Sequence, residues 1–500
     1  MDQHERLTGL EEVMGVDRPA EAPQVLPRRR PAVAGILHLG LGNFHRAHQA
    51  VYTARALDTE PGPWGIVGVA NRSRRVVDAM TAQGGRYSVV TLDADGPRVE
   101  VLDLHLETLV MAEEPERVVD LVSHPDIRVV TLTITEKGYR PPGGLRGHDT
   151  GEDVGDGTPW VIDLLARGLD ARFREGGRPI SVVSCDNVSG NGRVLRAVVT
   201  EILERVPGQD DLLAWLRDSV GFPCTMVDRI VPATEPRHTE MVRDLTTLHD
   251  AAPVPAEPFS MWVMQDDFPG GRPAWEKAGV TFVDDVLPYE LLKLRLVNTT
   301  NSLLAYLGLL LGEELIADSL TRHPSVRAVA AHVIRHEMLP TFEPPPGLDI
   351  DRYVEQLFTR FSNVEVGHRT AQVASDGSLK LPIRIVEPVL HHHDRGSVPA
   401  GLALLAASFV RVFTGPPSTG VAGRTVPEDP SAERYRRLGA AYPGSHELVR
   451  AVLTGGAFGT SLAPAGPWLD TVADLHSLIV EEGVEAGVRR ALALRSGPVE

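Results

Sequence analysis

The chain has 500 residues, 42% hydrophobic and 23% charged, which is enough for two or more domains that each bury a full core. A formal net charge of -17 excludes nucleic acid or an anionic membrane as the natural partner, because both are gripped by surplus Lys and Arg, and it leaves a small molecule. With Cys185 and Cys224 the only cysteines, a disulfide framework is excluded and a cytoplasmic setting is expected.

Residues 1–33 read as a leader, partly disordered, that mixes acids with bases and has no apolar core of the signal-peptide kind. The stretch "AVAGILHLGLGNFHRAHQA" then predicts a buried strand from Ala32 to Leu39, a glycine turn at Gly40 to Gly42, and a helix. This is the order of a dinucleotide-binding unit. Gly40 and Gly42 would let the backbone approach a pyrophosphate while the helix N-terminus offers free N–H groups. His45 stands where a third glycine is usual, and a purely structural tight turn would leave the same trace.

The next strand is "WGIVGVA". NAD enzymes commonly end it in an acid that bonds the ribose hydroxyls, whereas "VANRSRR" offers Asn71, Arg72, Arg74 and Arg75, so NADP stays open beside ordinary solvated surface. Further strand-like runs at "RYSVVTLDAD", "IRVVTLTITEKGY" and "PISVVSCDNVSG" alternate with helical "ERVVDLVS" and "GRVLRAVVTEILERV". Together they predict a mostly parallel sheet covered on both faces. In "SCDNVSGNG", Asp186 and Asn187 fall at the carboxyl edge of that sheet, facing a ligand or simply closing the strand in an Asx turn.

From about Pro288 the strand-like runs stop. Amphipathic helices are predicted over Leu291 to Leu311, Ser325 to Met338, Asp351 to Phe361 and Leu402 to Phe413, with more beyond Ala432. The expected fold class is therefore α/β: a Rossmann-type, mostly parallel domain over residues 34–285, then an all-α domain over 286–500. No apolar run approaches the roughly 20 residues needed to cross a bilayer. "HHHD" at His391 to Asp394 reads as a solvated loop rather than a metal site, since consecutive residues of a helix cannot all face one ion.

The helix that opens the second domain carries "KLRLVNTTNS". At about 100° per residue, Glu290, Lys293, Val297, Thr300 and Asn301 share one face, with Asn298 on its flank. A lysine there either snorkels to water or sits desolvated in a cleft between domains, where it would take a proton from an alcohol as hydride leaves the carbon. Asn187 and Asn298 could then donate to the oxyanion.

Together, "GILHLGLGNFHRAHQA", "WGIVGVANRS", "TITEKGY", "SCDNVSGNG", "FPCTMVDRIVP", "MWVMQDDFPGGRPAWEKAGVTFVDDV" and "YELLKLRLVN" resemble the mannitol dehydrogenase family of long-chain polyol and hexuronate dehydrogenases, from about Gly35 onward. The resemblance implies metal-independent hydride transfer with NAD(H). Lys293 would be the general base, Asn187 and Asn298 the oxyanion hole, and Glu290 the glutamate that gates proton passage to solvent. Cofactor contacts would fall on Gly40, Gly42, Asn43, Phe44, Asn71, Arg72, Glu136 and Asn187, and substrate contacts on Asp228 and Lys380.

Mannitol-type members tend to have arginine eight residues before that pocket lysine, where this chain has Gln372; with "GVANRS" and "QVASDGS" it looks more like the fructuronate reductase (D-mannonate oxidoreductase) branch. Arg384 and Lys380, then Arg369, are candidate cations for a hexuronate carboxylate. The family pattern Lys-x-x-x-x-Asn-x-x-His ends here in Asn301, an amide that cannot hold an ionisable proton near neutral pH. Three readings follow: a sugar-acid oxidoreductase, a polyol 2-dehydrogenase with an altered pocket, and a nucleotide- or sugar-binding protein with little catalysis. A monomer or weak dimer is expected in each.

Overall fold

The computed structural model describes residues 23–140, 160–206, 208–415 and 427–494. The chain divides into two units between Leu287 and Pro288.

Strands of the first unit are β1 (Gln24–Leu26), β2 (Ala34–Leu39), β3 (Gly65–Ala70), β4 (Tyr87–Thr91), β5 (Arg98–Leu102), β6 (His105–Val110), β7 (Val129–Leu132), β8 (Ile180–Ser184), β9 (Val220–Gly221), β10 (Thr225–Asp228), β11 (Val254–Ala256), β12 (Met261–Met264) and β13 (Thr281–Phe282). Apolar residues at successive positions suit strands buried on both faces, and those strands form a six-stranded, wholly parallel sheet in the order β6-β3-β2-β7-β8-β9. Its two faces feed two cores. Ile36, Ile66 and Val129 pack with helices α1 (Asn43–Ala47), α2 (Gln49–Thr59) and α3 (Arg74–Ala82). Leu37, Val67 and Val130 pack with α4 (Pro115–Ser123), α5 (Val161–Arg174) and α6 (Asn191–Leu203). Strand order reverses direction between β2 and β7, which makes the carboxyl ends of those strands a topological switch point.

Two expectations are corrected here. Tyr87–Thr91 does not join the main sheet: it pairs antiparallel with β5 and parallel with β11 in a separate four-stranded sheet. An isolated apolar run shows that a strand is buried but not which partner it takes. Part of the presumed leader also enters that sheet, where Val25 of β1 lies opposite Val101; residues 1–22 lie outside the described residues.

The second unit is helical. The predicted helix over Leu291 to Leu311 is observed as α7 (Leu287–Leu292), a π-helical turn over Lys293–Asn298, and α8 (Thr299–Leu311). Likewise α9 (Pro324–His332) runs into a second π-helical turn, Val333–Met338. After α10 (Ile350–Phe361) and the short α11 (Thr370–Ala374) comes α12 (Gly377–His393), which was not predicted, then α13 (Ala400–Thr414). Pro382 and Pro388 inside α12 mask its helical period.

The solvated loop expected at His391 to Asp394 is instead the last turn of α12. His392 is buried, with Nδ1 3.0 Å from Ser397 Oγ and Nε2 2.9 Å from the Glu337 carbonyl. Among the described residues no cluster of three His, Cys, Asp or Glu is placed to hold a metal ion, and no helix is long and apolar enough to cross a membrane.

Candidate active site

Register in the parallel sheet gathers four of the sequence-marked segments. Leu39 lies opposite both Val69 and Leu132, and Leu132 opposite Ser184, so the chain leaves the same sheet edge toward Gly40, Asn71, Glu136 and Asn187. Gly40 has φ +112°, and a Cβ there would lie 2.2 Å from the Thr133 carbonyl oxygen, so only glycine fits. Its N–H and that of Leu41 both donate to the Val69 carbonyl at 2.9 Å, which fastens the turn to the end of β3. Gly42 differs: the nearest atom to an added Cβ would be 3.7 Å away. The protein itself does not require that glycine, and the open space beside the turn suits a group approaching the backbone.

The single helix expected after the turn is two. α1 has five residues and is broken from α2 at His48, whose φ of -125° and ψ of -84° are not helical. Its dipole is correspondingly short. What supports the turn is a set of imidazoles. His38 Nε2 donates to the Gly40 carbonyl at 2.9 Å, while its Nδ1 is 2.8 Å from Thr131 Oγ1. His45, in the third-glycine position, stacks on His38 with centroids 3.3 Å apart and meets His105, Nε2 to Nε2, at 3.1 Å. Burial pushes His38 and His105 down to about 3, and holds His45 well below its ordinary value with help from the neighbouring histidines and Arg46. These rings are neutral props.

Asn43, expected at the cofactor, is engaged by the protein: its amide nitrogen is 3.2 Å from Thr234 Oγ1, and its oxygen accepts from Arg46 at 2.7 Å. Phe44 packs on the core and stacks against His48 at 5.0 Å. Asn71 and Arg72 are exposed beyond β3, while Arg74 forks onto Glu113, with Nε 2.6 Å from Oε1.

Asp186 joins two of the edge segments. Its buried carboxylate accepts from the Thr135 N–H (2.8 Å), the Ile134 N–H (3.2 Å) and the Tyr139 hydroxyl (3.0 Å). Thr135 is held at φ +64°, immediately before Glu136. Burial pushes the Asp186 carboxyl up to about 6 against the pull of those donors. Beside it Asn187 is exposed, on a turn fixed by a residue that the sequence reading passed over. Asn191 is fully buried; its amide nitrogen donates to the Asp186 and Thr225 carbonyls (3.1 and 3.0 Å), and its oxygen accepts from the Thr225 N–H (2.9 Å). The available signal was an Asx residue between glycines at a helix start. Asp228 ends β10 and is buried.

In the second unit the π turn moves the polar stripe. Glu290, Lys293, Asn298 and Asn301 are all half-exposed, as are Leu291 and Leu294, whereas Val297 and Thr300, assigned to that lane at 100° per residue, are buried at 4% and 0% exposure. A π turn bonds five residues back instead of four, and the Thr299 N–H and Oγ1 both donate to the Leu294 carbonyl, the hydroxyl at 3.0 Å. The inserted residue carries Asn298 from the flank into line with Lys293. One turn on, Asn301 has its Oδ1 buried without a hydrogen-bond donor.

α12 packs against this helix through Arg384, which donates to Ser302 Oγ next to Asn301. Lys380, one turn earlier on α12, donates to the Ser375 carbonyl at 2.7 Å. Gln372 is exposed on α11, and Arg369 is exposed 3.8 Å from Glu314. His368 was not marked by the sequence, and no spacing pattern signals it. Burial first, then the Arg360 and Lys380 cations, push it down to about 4, and its Nδ1 is buried without a partner.

Two family models match the chain: the mannitol dehydrogenase Rossmann domain over residues 34–277 and the mannitol dehydrogenase C-terminal domain over residues 285–465. A D-mannonate oxidoreductase of Escherichia coli (strain K12) is 35% identical over 461 residues, covering 90% of this chain and 93% of that protein. A mannitol 2-dehydrogenase of Cereibacter sphaeroides is 36% identical over 412 residues, covering 81% and 85%. Among solved structures, the Pseudomonas fluorescens mannitol 2-dehydrogenase ternary complex with NAD and D-mannitol aligns with a TM-score of 0.81 at 31% identity, over 95% of this chain and 97% of that one. The glycine turn at a parallel-sheet switch point, the helical second unit and these matches over nearly the whole length lead to one assignment: the chain belongs to the mannitol dehydrogenase family, NAD-dependent oxidoreductases acting on CH–OH groups.

Proposed function

We propose that the chain interconverts a secondary alcohol and a ketone on a sugar acid, as a fructuronate reductase or D-mannonate oxidoreductase does. The observation that carries this reading is the Arg384 guanidinium bonded to Ser302, beside Asn301 on the stripe that holds Lys293 and Asn298. A guanidinium presents its N–H donors in a planar fork whose geometry matches a carboxylate. Lys380, a turn away, adds a second positive charge, and Gln372 supplies none.

In this proposal NAD, when bound, supplies the hydride acceptor. Lys293 removes the hydroxyl proton, Asn298 and Asn187 donate to the oxygen as its charge develops, and Glu290, one helical turn before Lys293, passes the proton to water. Gly40 and Gly42, with Asn71, Arg72 and Glu136 at the same sheet edge, are the proposed cofactor contacts, and Asp228 a substrate contact.

The polyol reading is favoured by the mannitol 2-dehydrogenase relatives and makes no use of a cation. A panel of 5-keto-hexuronates and 2-keto sugars with NADH or NADPH, followed at the nicotinamide absorbance, separates the two. Keto-acids should be reduced with the higher kcat/KM, and Arg384→Met should raise KM for them ~10-fold or more, a loss of about 1.4 kcal/mol, while sparing uncharged ketoses. Turnover of ketoses alone would establish the polyol reading. Cofactor binding with no turnover of any substrate would establish a binding protein.

A further inference from the structure

We infer that Arg295 is a positioning residue that holds the π turn at Lys293–Asn298 open and so keeps Lys293 and Asn298 in line. The inference rests on the proposed role of Lys293 as base. π turns are uncommon and less well bonded than α-helix, so one that persists between two α segments is held by something outside it.

The holding group is visible. Arg295 lies in the middle of the turn, two residues past Lys293 and so on the opposite face, and its side chain is 2% exposed. All its anchors come from outside the helix. One guanidinium nitrogen donates to both the carbonyl and Oγ1 of Thr341. Another pairs with Glu387 on α12 at 2.9 Å, and the guanidinium carbon lies 5.7 Å from the centre of the Phe342 ring.

Thr341 belongs to the short turn Leu339–Thr341 that directly follows the second π turn, so Arg295 links the two widened segments. Glu387 is on the same helix as Lys380 and Arg384, and Arg384 bonds Ser302 in the α8 segment that follows the turn. The helix carrying the base and the helix carrying the cations are thus pinned at two levels.

Stability alone is a weak reason for this arrangement. A buried cation loses its hydration, and its carboxylate partner here is 78% exposed, so an apolar side chain of similar length would hold the core about as well. An apolar side chain lacks the fork that fixes position. If the turn relaxed to α-helix, residues on its two sides would rotate relative to one another by about 100°, and Val297 would displace Asn298 from the stripe.

The test uses the full-length protein with Arg295→Met, Arg295→Lys, Glu387→Gln and Thr341→Val, alongside Lys293→Ala, measuring kcat, KM for both substrates and thermal melting. Misplacing a reacting group by about 1 Å costs on the order of a hundredfold. Arg295→Met should therefore lose kcat on that scale per folded molecule, with KM for NADH nearly unchanged. Arg295→Lys, which keeps one bond, should regain part of the loss, and the exposed partner's Glu387→Gln should lose only a few-fold.

A purely structural role would lower the melting temperature and the folded fraction and leave kcat per folded molecule as it was. That result in Arg295→Met overturns the inference. If Arg295→Met does not fold, Thr341→Val and Glu387→Gln decide, and wild-type kcat in both overturns it. Failure of the base reading shows separately, as turnover surviving in Lys293→Ala.

Discussion

Lys293→Ala is expected to lower kcat by about 10²- to 10⁴-fold, the usual contribution of a positioned general base, while the affinity for NADH stays within about a factor of two. The side chain projects from the half-exposed stripe of its helix, and neighbours on the buried side, Arg295, Leu296 and Val297, hold the helix in place. Truncating the lysine therefore removes the proposed proton acceptor without opening a cavity in the core. Single-turnover absorbance measurements would isolate the chemical step, and a fluorescence titration with NADH would measure binding. Unaltered turnover would remove Lys293 from the base role. Loss of binding and turnover together would mean that the substitution had disturbed more than a proton transfer.

Acidification is expected to unfold the protein well before its surface carboxylates are neutralised. His38, His45 and His105 in the first unit, and His368 and His476 in the second, are held neutral by burial; His38 and His105 are pushed down to about 3, His368 and His476 to about 4. Unfolded, each imidazole would titrate near 6.5. Between those values the unfolded chain binds more protons, so stability is complete above about pH 6.5 and is lost as pH falls, by about 1.4 kcal/mol per pH unit for each such histidine.

Asp186 runs the other way. Its carboxyl, raised to about 6, favours the fold at low pH and loses that contribution as pH rises through 6. Asp250, also raised by burial, acts in the same sense. The histidines outnumber these carboxyls. The melting temperature should drop by roughly 10 °C between pH 7 and pH 5, given ~2–4 °C per kcal/mol for units of this size. Melts followed by fluorescence of the fully buried Trp262 and Trp275 would report on the first unit, and circular dichroism on both. A melting temperature that is flat from pH 7.5 to 5 would show that these imidazoles are not neutral in the folded state.

The fold class was legible because it depends on periodicity. Short apolar runs at "GILHL" and "GIVGVA", bounded by glycines and rich in Ile and Val, suit strands buried on both faces, and a glycine turn follows the first of them directly. The features that escaped depend on partners far along the chain or on a change of period. Asn191 bonds Thr225, 34 residues away, and Asp186 bonds the Thr135 N–H, 51 residues back; neither polar residue differs locally from an ordinary turn residue. α12 was hidden by its two prolines. The π turn was hidden more completely, because "KLRLVN" is ordinary helix by composition, and an assumed 100° step placed Val297 and Thr300 where Asn298 belongs. One extra residue in a turn moves every later side chain to a new face.

Asn301 has one more consequence. Its buried Oδ1 has no donor, and a desolvated acceptor left in this state costs about 1–3 kcal/mol. In the free protein that energy is a debt carried by the fold. In the proposed site, a ligand that brings a hydroxyl to this oxygen would discharge it on binding, while an analogue lacking the hydroxyl would leave it standing. The amide would thus act there as a subtractive filter that penalises the wrong molecule. An ionisable ring in its place would alter its selectivity with pH, whereas Asn301 in the proposed site would apply the same filter across the whole range in which the protein stays folded.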